Sequence, residues 1–240
     1  YDTLRAVTTG FESAEKITEC WRSLNGHEDR MLNFLENHDE QRIASDFFAG
    51  DSLKAIPALT VMLLLNRAPF LIYFGQELGE RGMDKEGFSS LDGRTSIYDY
   101  WSVSTVREWI KTGKLPLTGN IYKKLIKISL SEPAIVSGKK YDLQYANRDS
   151  SNYDIARLYS FLRKSDDSLI MTIVSFSSDI KTIRIKIPRN AFEYLGIDKE
   201  VLEGGSDLFD EDSAEYTLIP DVKTEISLNS LGIKIIKFLL

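Results

Sequence analysis

With 240 residues, 42 % hydrophobic and 28 % charged, the chain has the composition of a globular protein that can bury a sizeable core. A formal charge of −6, with basic residues scattered among acidic ones, excludes the basic stripe of a nucleic-acid binder. A single cysteine, Cys20, leaves no intrachain disulfide and no cysteine-built metal site, and the longest apolar run, residues 61–65, is too short to span a bilayer.

Residues 12–24 read as a helix with Ile17, Cys20, Trp21 and Leu24 on one face, ended by Asn25-Gly26. Residues 31–35 read as a fully buried strand, and the polar cluster 36–41 follows it. A second helix over residues 52–66 carries Leu53, Ile56, Leu59, Leu63 and Leu64 on its core face, and Pro57 predicts a kink or a late start. Pro69 then introduces another buried strand, residues 70–74, which stops at Gly75. Strand, helix, strand is the alternation of an α/β unit with parallel strands. A long loop rich in Gly, Asp and Ser runs from Gln76 to about Val103, a length usually reserved for function or disorder. Helices are expected near residues 105–112 and 119–128. Glu108-Trp109, mid-helix, reads as a surface and core pair.

After Pro133 the period changes to two. Residues 155–164 and 169–176, joined by Ser165-Asp166-Asp167-Ser168, read as a β-hairpin, and residues 182–187 alternate as a half-buried strand does. Further strands are expected at residues 216–219, 224–228 and 233–239. The fold class is therefore α/β plus all-β, with an α/β part over residues 1–132 and a small antiparallel sandwich over 133–240. No leader pattern is readable, and a start at Tyr1 inside an amphipathic segment suits a piece of something longer.

In a parallel α/β barrel, functional groups sit where strands end and loops begin. Residues 36–42 place Glu36, Asn37, His38, Asp39, Glu40, Gln41 and Arg42 directly after an apolar run, where each polar group needs a partner or solvent. A carboxylate flanked by His and Arg stays ionised and can stabilise developing positive charge, including an oxocarbenium-like sugar. A surface turn with salt bridges fits the same pattern.

The string Phe34-Leu35-Glu36-Asn37-His38-Asp39-Glu40-Gln41-Arg42 resembles the region at the end of barrel strand seven in glycoside hydrolase family 13, the α-amylase type. Phe70-Leu71-Ile72-Tyr73-Phe74-Gly75-Gln76-Glu77-Leu78-Gly79 resembles strand eight and the turn beyond it. Arg94-Thr95-Ser96-Ile97-Tyr98-Asp99-Tyr100-Trp101 is similar to a segment of members with long loops after strand eight. The resemblance implies the last strands and helices of a (β/α)8 barrel followed by the family's C-terminal β-sandwich. It implies that Asp39 is the third catalytic carboxylate, orienting hydroxyls and stabilising the transition state, and that His38 contacts the sugar. Glu36 and Arg42 would support the loop, with ordinary surface charges as the alternative. Gly75, Gln76 and Glu77 read as a strand-end turn.

Retaining glycoside hydrolysis needs a nucleophile and an acid/base as well. The family's motifs for both are missing from this sequence, and a whole barrel takes about 250 residues, roughly twice the α/β part. The expectation is therefore a portion of an enzyme acting on α-glucans or maltooligosaccharides that is inactive alone. The alternatives are a glycan-binding module, with Tyr141, Tyr145, Tyr153 and Tyr159 as candidate contacts that core packing also explains, or a purely structural fragment. An incomplete barrel is expected to self-associate or to pair with a complementing chain. No cofactor and no metal are expected, since Asp84, Glu86 and Asp92 lack a calcium-loop spacing; neither nucleic acid nor membrane is an expected partner.

Overall fold

The computed structural model describes residues 1–83, 91–98, 103–177, 179, 182–210 and 214–240. It opens on two short helices, α1 (Asp2–Thr8) and α2 (Glu15–Ser23). Ile17 anchors α2 in the core, and Trp21 is half-buried with its indole N–H directed at Asp142 and Tyr159. Cys20 is exposed, against the expectation that it shares this face. A step of three residues turns about 60° away from Ile17 and a step of four about 40° the other way. The buried stripe follows Trp21, and Cys20 falls off its edge. Asn25 and Gly26 end the turn with φ of 48° and 84°, as their types predict.

Strand β1 (Asn33–Phe34) pairs in parallel with β2 (Phe70–Leu71), Asn33 opposite Phe70 and Phe34 opposite Leu71. Both strands are shorter than the apolar runs suggested, and only half-buried. Met31 and Leu32 are 46 % and 52 % exposed. The physical reason is the lack of neighbours, because β1 and β2 form a two-stranded sheet among the described residues, with no closed barrel. Between them a 3-10 turn, Ser52–Ala55, leads into α3 (Ile56–Leu64). Pro57 therefore marks a late start, where its fixed φ and missing N–H suit a first turn. All nine residues of α3 are buried, so the helix lies between layers rather than on a surface.

Next come α4 (Ser104–Thr112), α5 (Leu117–Ser131) and α6 (Pro133–Val136). Helix α5 buries Ile121, Tyr122, Leu125 and Ile128, whereas α4 buries nothing. Trp109 is 42 % exposed and is not the core half of a pair. No helix among the described residues is long and apolar enough to cross a membrane.

The remainder is β-rich: β3 (Lys139–Asp142), α7 (Gln144–Asn147), β4 (Leu158–Lys164), β5 (Ser168–Ser175), β6 (Thr182–Lys186), α8 (Arg189–Leu195), β7 (Leu202–Asp207), β8 (Tyr216–Leu218), β9 (Lys223–Ser227) and β10 (Ile233–Leu239). Six strands make one antiparallel sheet in the order β3-β4-β5-β10-β7-β8, and β6 and β9 make a second. The expected hairpin is β4 and β5. Alternate residues of the large sheet join different cores. Tyr159, Phe161, Ile170, Val174, Ile233 and Ile235 pack with α3 and α5, while Leu158, Leu162, Leu169, Met171, Ile173, Ile236 and Phe238 pack with β6, β9 and α8. Every residue of β5 is consequently buried. Arg163 faces the helical side, where its guanidinium donates to the carbonyls of Leu65, Ala134 and Ile135 at 2.9, 3.1 and 2.6 Å. Burial pulls that guanidinium down to about 10, and these carbonyls supply the partners a buried cation needs.

Candidate active site

Parallel pairing of β1 and β2 brings the loops after both strands to one end of the sheet, the end that carries chemistry in α/β barrels. Beyond Phe34 the chain alternates between burial and solvent. Leu35 and Glu36 are buried, His38 and Asp39 are exposed, and Arg42 and Ile43 are buried again. Asn37 organises the turn, its side-chain Oδ1 accepting from the backbone N–H of Asp39 at 2.8 Å and of Glu40 at 2.9 Å. Such an Asx turn substitutes a side chain for a backbone acceptor. It leaves the Asp39 carboxylate in solvent, with Oδ2 3.3 Å from His38 Nε2.

Beneath the turn lies a buried ion pair. Arg42 Nη1 donates to Glu36 Oε2 at 2.8 Å, and the Ile43 N–H donates to Glu36 Oε1 at 2.6 Å. Burial pushes the Glu36 carboxyl above the usual carboxylate range, outweighing the pull of the Arg42 guanidinium. Arg42 Nε donates to Thr95 Oγ1 at 2.9 Å, Nη2 reaches the same oxygen, and the Arg42 N–H donates to the Gly93 carbonyl at 2.6 Å. Arg42 thus does not flank Asp39, as its place in the string suggested; its charge goes inward to Glu36. On the outer side, Arg5 of α1 donates to Gln41 Oε1 at 3.0 Å and lies 3.7 Å from Glu40. Tyr1 stacks on Phe34 with ring centroids 5.3 Å apart.

The loop after β2 closes the other side. Gly75, at φ 80°, turns the chain, and buried Gln76 accepts from the Tyr73 N–H and donates to the Tyr122 hydroxyl. Tyr73 in turn donates to the Thr95 carbonyl at 2.9 Å. Gly82 and Gly93 meet backbone to backbone, and a Cβ on Gly82 would lie 2.8 Å from the Gly93 carbonyl carbon. Asp84, Glu86, Asp99, Tyr100 and Trp101 lie outside the described residues. Among those described, no three His, Cys, Asp or Glu side chains converge as metal ligands would.

Three residues of this site were not picked out from sequence: Asn37 as the organiser of the turn, Thr95 as the partner of Arg42, and Glu80. Glu80 is buried, accepting from the Gly82 N–H at 2.8 Å and from the Thr105 hydroxyl. An Asn two residues before an Asp is a readable Asx-turn signal; Thr95 and Glu80 leave no local signal.

No curated protein matches the chain. A family model described as alpha amylase, catalytic domain, matches residues 5–115, which include Glu36, His38, Asp39 and Arg42. Solved structures agree in fold. A maltogenic alpha-amylase from Thermotoga neapolitana is 16 % identical with a TM-score of 0.64, over 98 % of this chain and 48 % of its own. The alpha-amylase from Geobacillus thermoleovorans, complexed with acarbose, is 14 % identical with a TM-score of 0.63, over 94 % and 43 %. The alpha-amylase from H. orenii is 20 % identical with a TM-score of 0.60, over 100 % and 47 %. The chain thus spans about half the length of these structures. The strand-end turn thus lies inside the part of the chain, just under half of it, that matches the alpha amylase catalytic-domain pattern.

Proposed function

We propose that these 240 residues are the portion of an α-amylase-type glycosidase that supplies one of three carboxylates to retaining cleavage of α-glucans or maltooligosaccharides. In this reading residues 1–132 are the last strands and helices of a (β/α)8 barrel, and residues 133–240 are a C-terminal antiparallel β-sandwich. The observation that carries it is the Asn37 turn, which holds His38 and Asp39 in solvent at the end of β1 above a buried ion pair.

As a glycosidic bond breaks, positive charge develops on the sugar ring. The Asp39 carboxylate, placed before the reaction, favours that state over the neutral ground state. His38 contacts the sugar from the neighbouring position. Glu36 and Arg42 serve as supports that keep the turn from relaxing. The nucleophile and acid/base are contributed by residues outside this sequence, so the chain alone is inactive. Exposed Trp109 and Ile110 on α4, 42 % and 71 % accessible, suit a chain that pairs with a complementing barrel half or with itself.

Incubation with maltoheptaose tests the reading. The chain alone is expected to give no turnover above buffer. Turnover that survives Asp39→Ala would refute both the role of Asp39 and the need for outside carboxylates. Once a barrel half carrying nucleophile and acid is supplied, Asp39→Asn is expected to lower kcat by about 10²- to 10³-fold, the scale of losing one electrostatic stabiliser.

A further inference from the structure

Glu80, in the turn after β2, is a carboxylate that the role proposed for Asp39 leaves without a task. It is 2 % exposed, and a buried carboxylate needs hydrogen-bond partners. One is local: the Gly82 N–H donates to Oε1 at 2.8 Å. The other is not, because the Thr105 hydroxyl, which donates to Oε2, belongs to the first turn of α4. The backbone N–H of Glu80 donates in turn to the Gly75 carbonyl at 3.1 Å. One residue therefore ties the end of β2 to a helix residue 25 positions further on.

From Gly82 the bonding continues toward the β1 loop. The Gly82 carbonyl accepts from the Gly93 N–H at 3.1 Å, and the Gly93 carbonyl accepts from the Arg42 N–H at 2.6 Å. Arg42 follows Asp39 closely in the chain, and its side chain holds Glu36 and Thr95. The run has little room to slide. Gly82 and Gly93 have φ of 60° and 78°, and a Cβ on Gly93 would lie 2.8 Å from the Ser45 side chain. Arg81, between Glu80 and Gly82, reaches another part of the loop, its Nη2 donating to Asp46 at 2.8 Å. Residues 80–82 thus grip residues 42–46 twice, once through Gly93 and once directly.

A carboxylate placed here for its charge would be expected beside a cation. The two donors to its side chain are neutral instead, a peptide N–H and a hydroxyl. Burial raises the Glu36 carboxyl and the nearby Glu80 adds to that rise, so a charge at Glu80 works against the ion pair under the turn. What the side chain contributes is geometry. Two acceptor oxygens on one rigid group hold donors from two different elements at a fixed separation.

We propose that Glu80 is a positioning residue for the Asp39 turn, fixing Gly82 against Gly93 so that the carbonyl receiving the Arg42 N–H stays in place. The value of holding that turn rests on the role proposed above for Asp39. The test is amide hydrogen exchange, followed by NMR on the intact chain. Glu80→Ala is expected to speed exchange at Gly93 and Arg42 roughly tenfold, the scale of one lost hydrogen bond, with β4 and β5 keeping parent rates. The Asp39 and Glu40 amides, held by Asn37, are expected to follow. Glu80→Gln is expected to restore slow exchange, because its amide oxygen can accept from Gly82 while its N–H donates to Thr105 Oγ1. Thr105→Val keeps the side-chain shape and removes one donor. It is expected to speed the same amides roughly 2- to 5-fold, and it decides the matter if Glu80→Ala does not fold. Unchanged exchange at Gly93 and Arg42, a rise that stops short of Asp39 and Glu40, an equal rise across β4 and β5, or no recovery in Glu80→Gln would each overturn the proposal. Because the role of Asp39 is read by turnover and that of Glu80 by exchange, failure of either is recognisable on its own.

Discussion

The Arg42 guanidinium directs three nitrogens at Glu36 and Thr95, and its centre lies 4.3 Å from the Tyr73 ring centroid and 5.0 Å from that of Phe74. A planar fork set against two adjacent rings is a role that lysine cannot take over. Arg42→Ala would strand the Glu36 carboxyl in an apolar site, and a loss of about 3–5 kcal/mol in urea unfolding is expected. Asp39→Asn, at an exposed position, should change stability by less than about 0.5 kcal/mol. The contrast separates the two kinds of residue in one short loop. A small effect of Arg42→Ala would mean that Glu36 finds water. The string showed both residue types, and family resemblance pointed to Asp39. What it did not show was direction: Arg42 faces a threonine 53 positions away, and only the folded chain brings Thr95 there.

At the level of elements, β1 and β2 share only two register pairs, too short a ladder to set their alignment alone. Ion pairs hold both ends. Glu36 and Arg42 sit after β1, while before the strands Asp29 accepts from Arg67 Nε at 2.8 Å and from its backbone N–H at 3.0 Å. Partial burial works to raise the Asp29 carboxyl, but the Arg67 backbone N–H and guanidinium together hold it below the ordinary carboxylate range. A depressed carboxyl gives stability that is present above its unfolded value near 3.9 and lost as pH falls through the folded one. Asp29→Asn is therefore expected to lower stability at pH 7 by roughly 0.5–1 kcal/mol for a partly exposed pair. The gap should narrow in unfolding curves as pH is taken below about 3.9, and a gap independent of pH would point to lost packing instead. Elements were legible where local pattern and tertiary role agreed. The hairpin of β4 and β5 is apolar, β-branched and aromatic along both runs and turns on Ser-Asp-Asp-Ser. Strand β7 escaped notice because Gly204 and Gly205 interrupt it, and a Cβ on Gly205 would lie 2.2 Å from the Phe238 ring, so only glycine fits there. Strand β3 hid behind Lys139 and Lys140. The runs at residues 31–35 and 70–74 failed the other way: apolar residues state what a chain would bury, not how many neighbours arrive.

Across the whole molecule the six-stranded sheet is a wall shared by two cores, and apolar packing runs continuously across residues 132 and 133. Polar contacts reinforce the joint, among them Lys237 donating to Glu132 at 2.7 Å and Lys140 to Glu28 at 3.1 Å. Residues 133–240 expressed without residues 1–132 would expose Tyr159, Phe161, Ile170, Val174, Ile233 and Ile235 together. The piece is expected to bind a hydrophobic dye strongly and to self-associate in sedimentation. A clean monomer with an unchanged melting midpoint would show that the sheet needs only one of its two faces covered. The sheet order has a further consequence, for birth rather than stability. Strand β10 sits between β5 and β7, the last strand in sequence filling a central place. On a ribosome, β4 and β5 can zip together early, yet the far edge of β5 must stay open until residues 233–239 have been translated and cleared the exit tunnel. Through that interval an apolar β-edge is on offer to any passing strand, and chaperones that shield it would govern yield more than the finished protein's stability does.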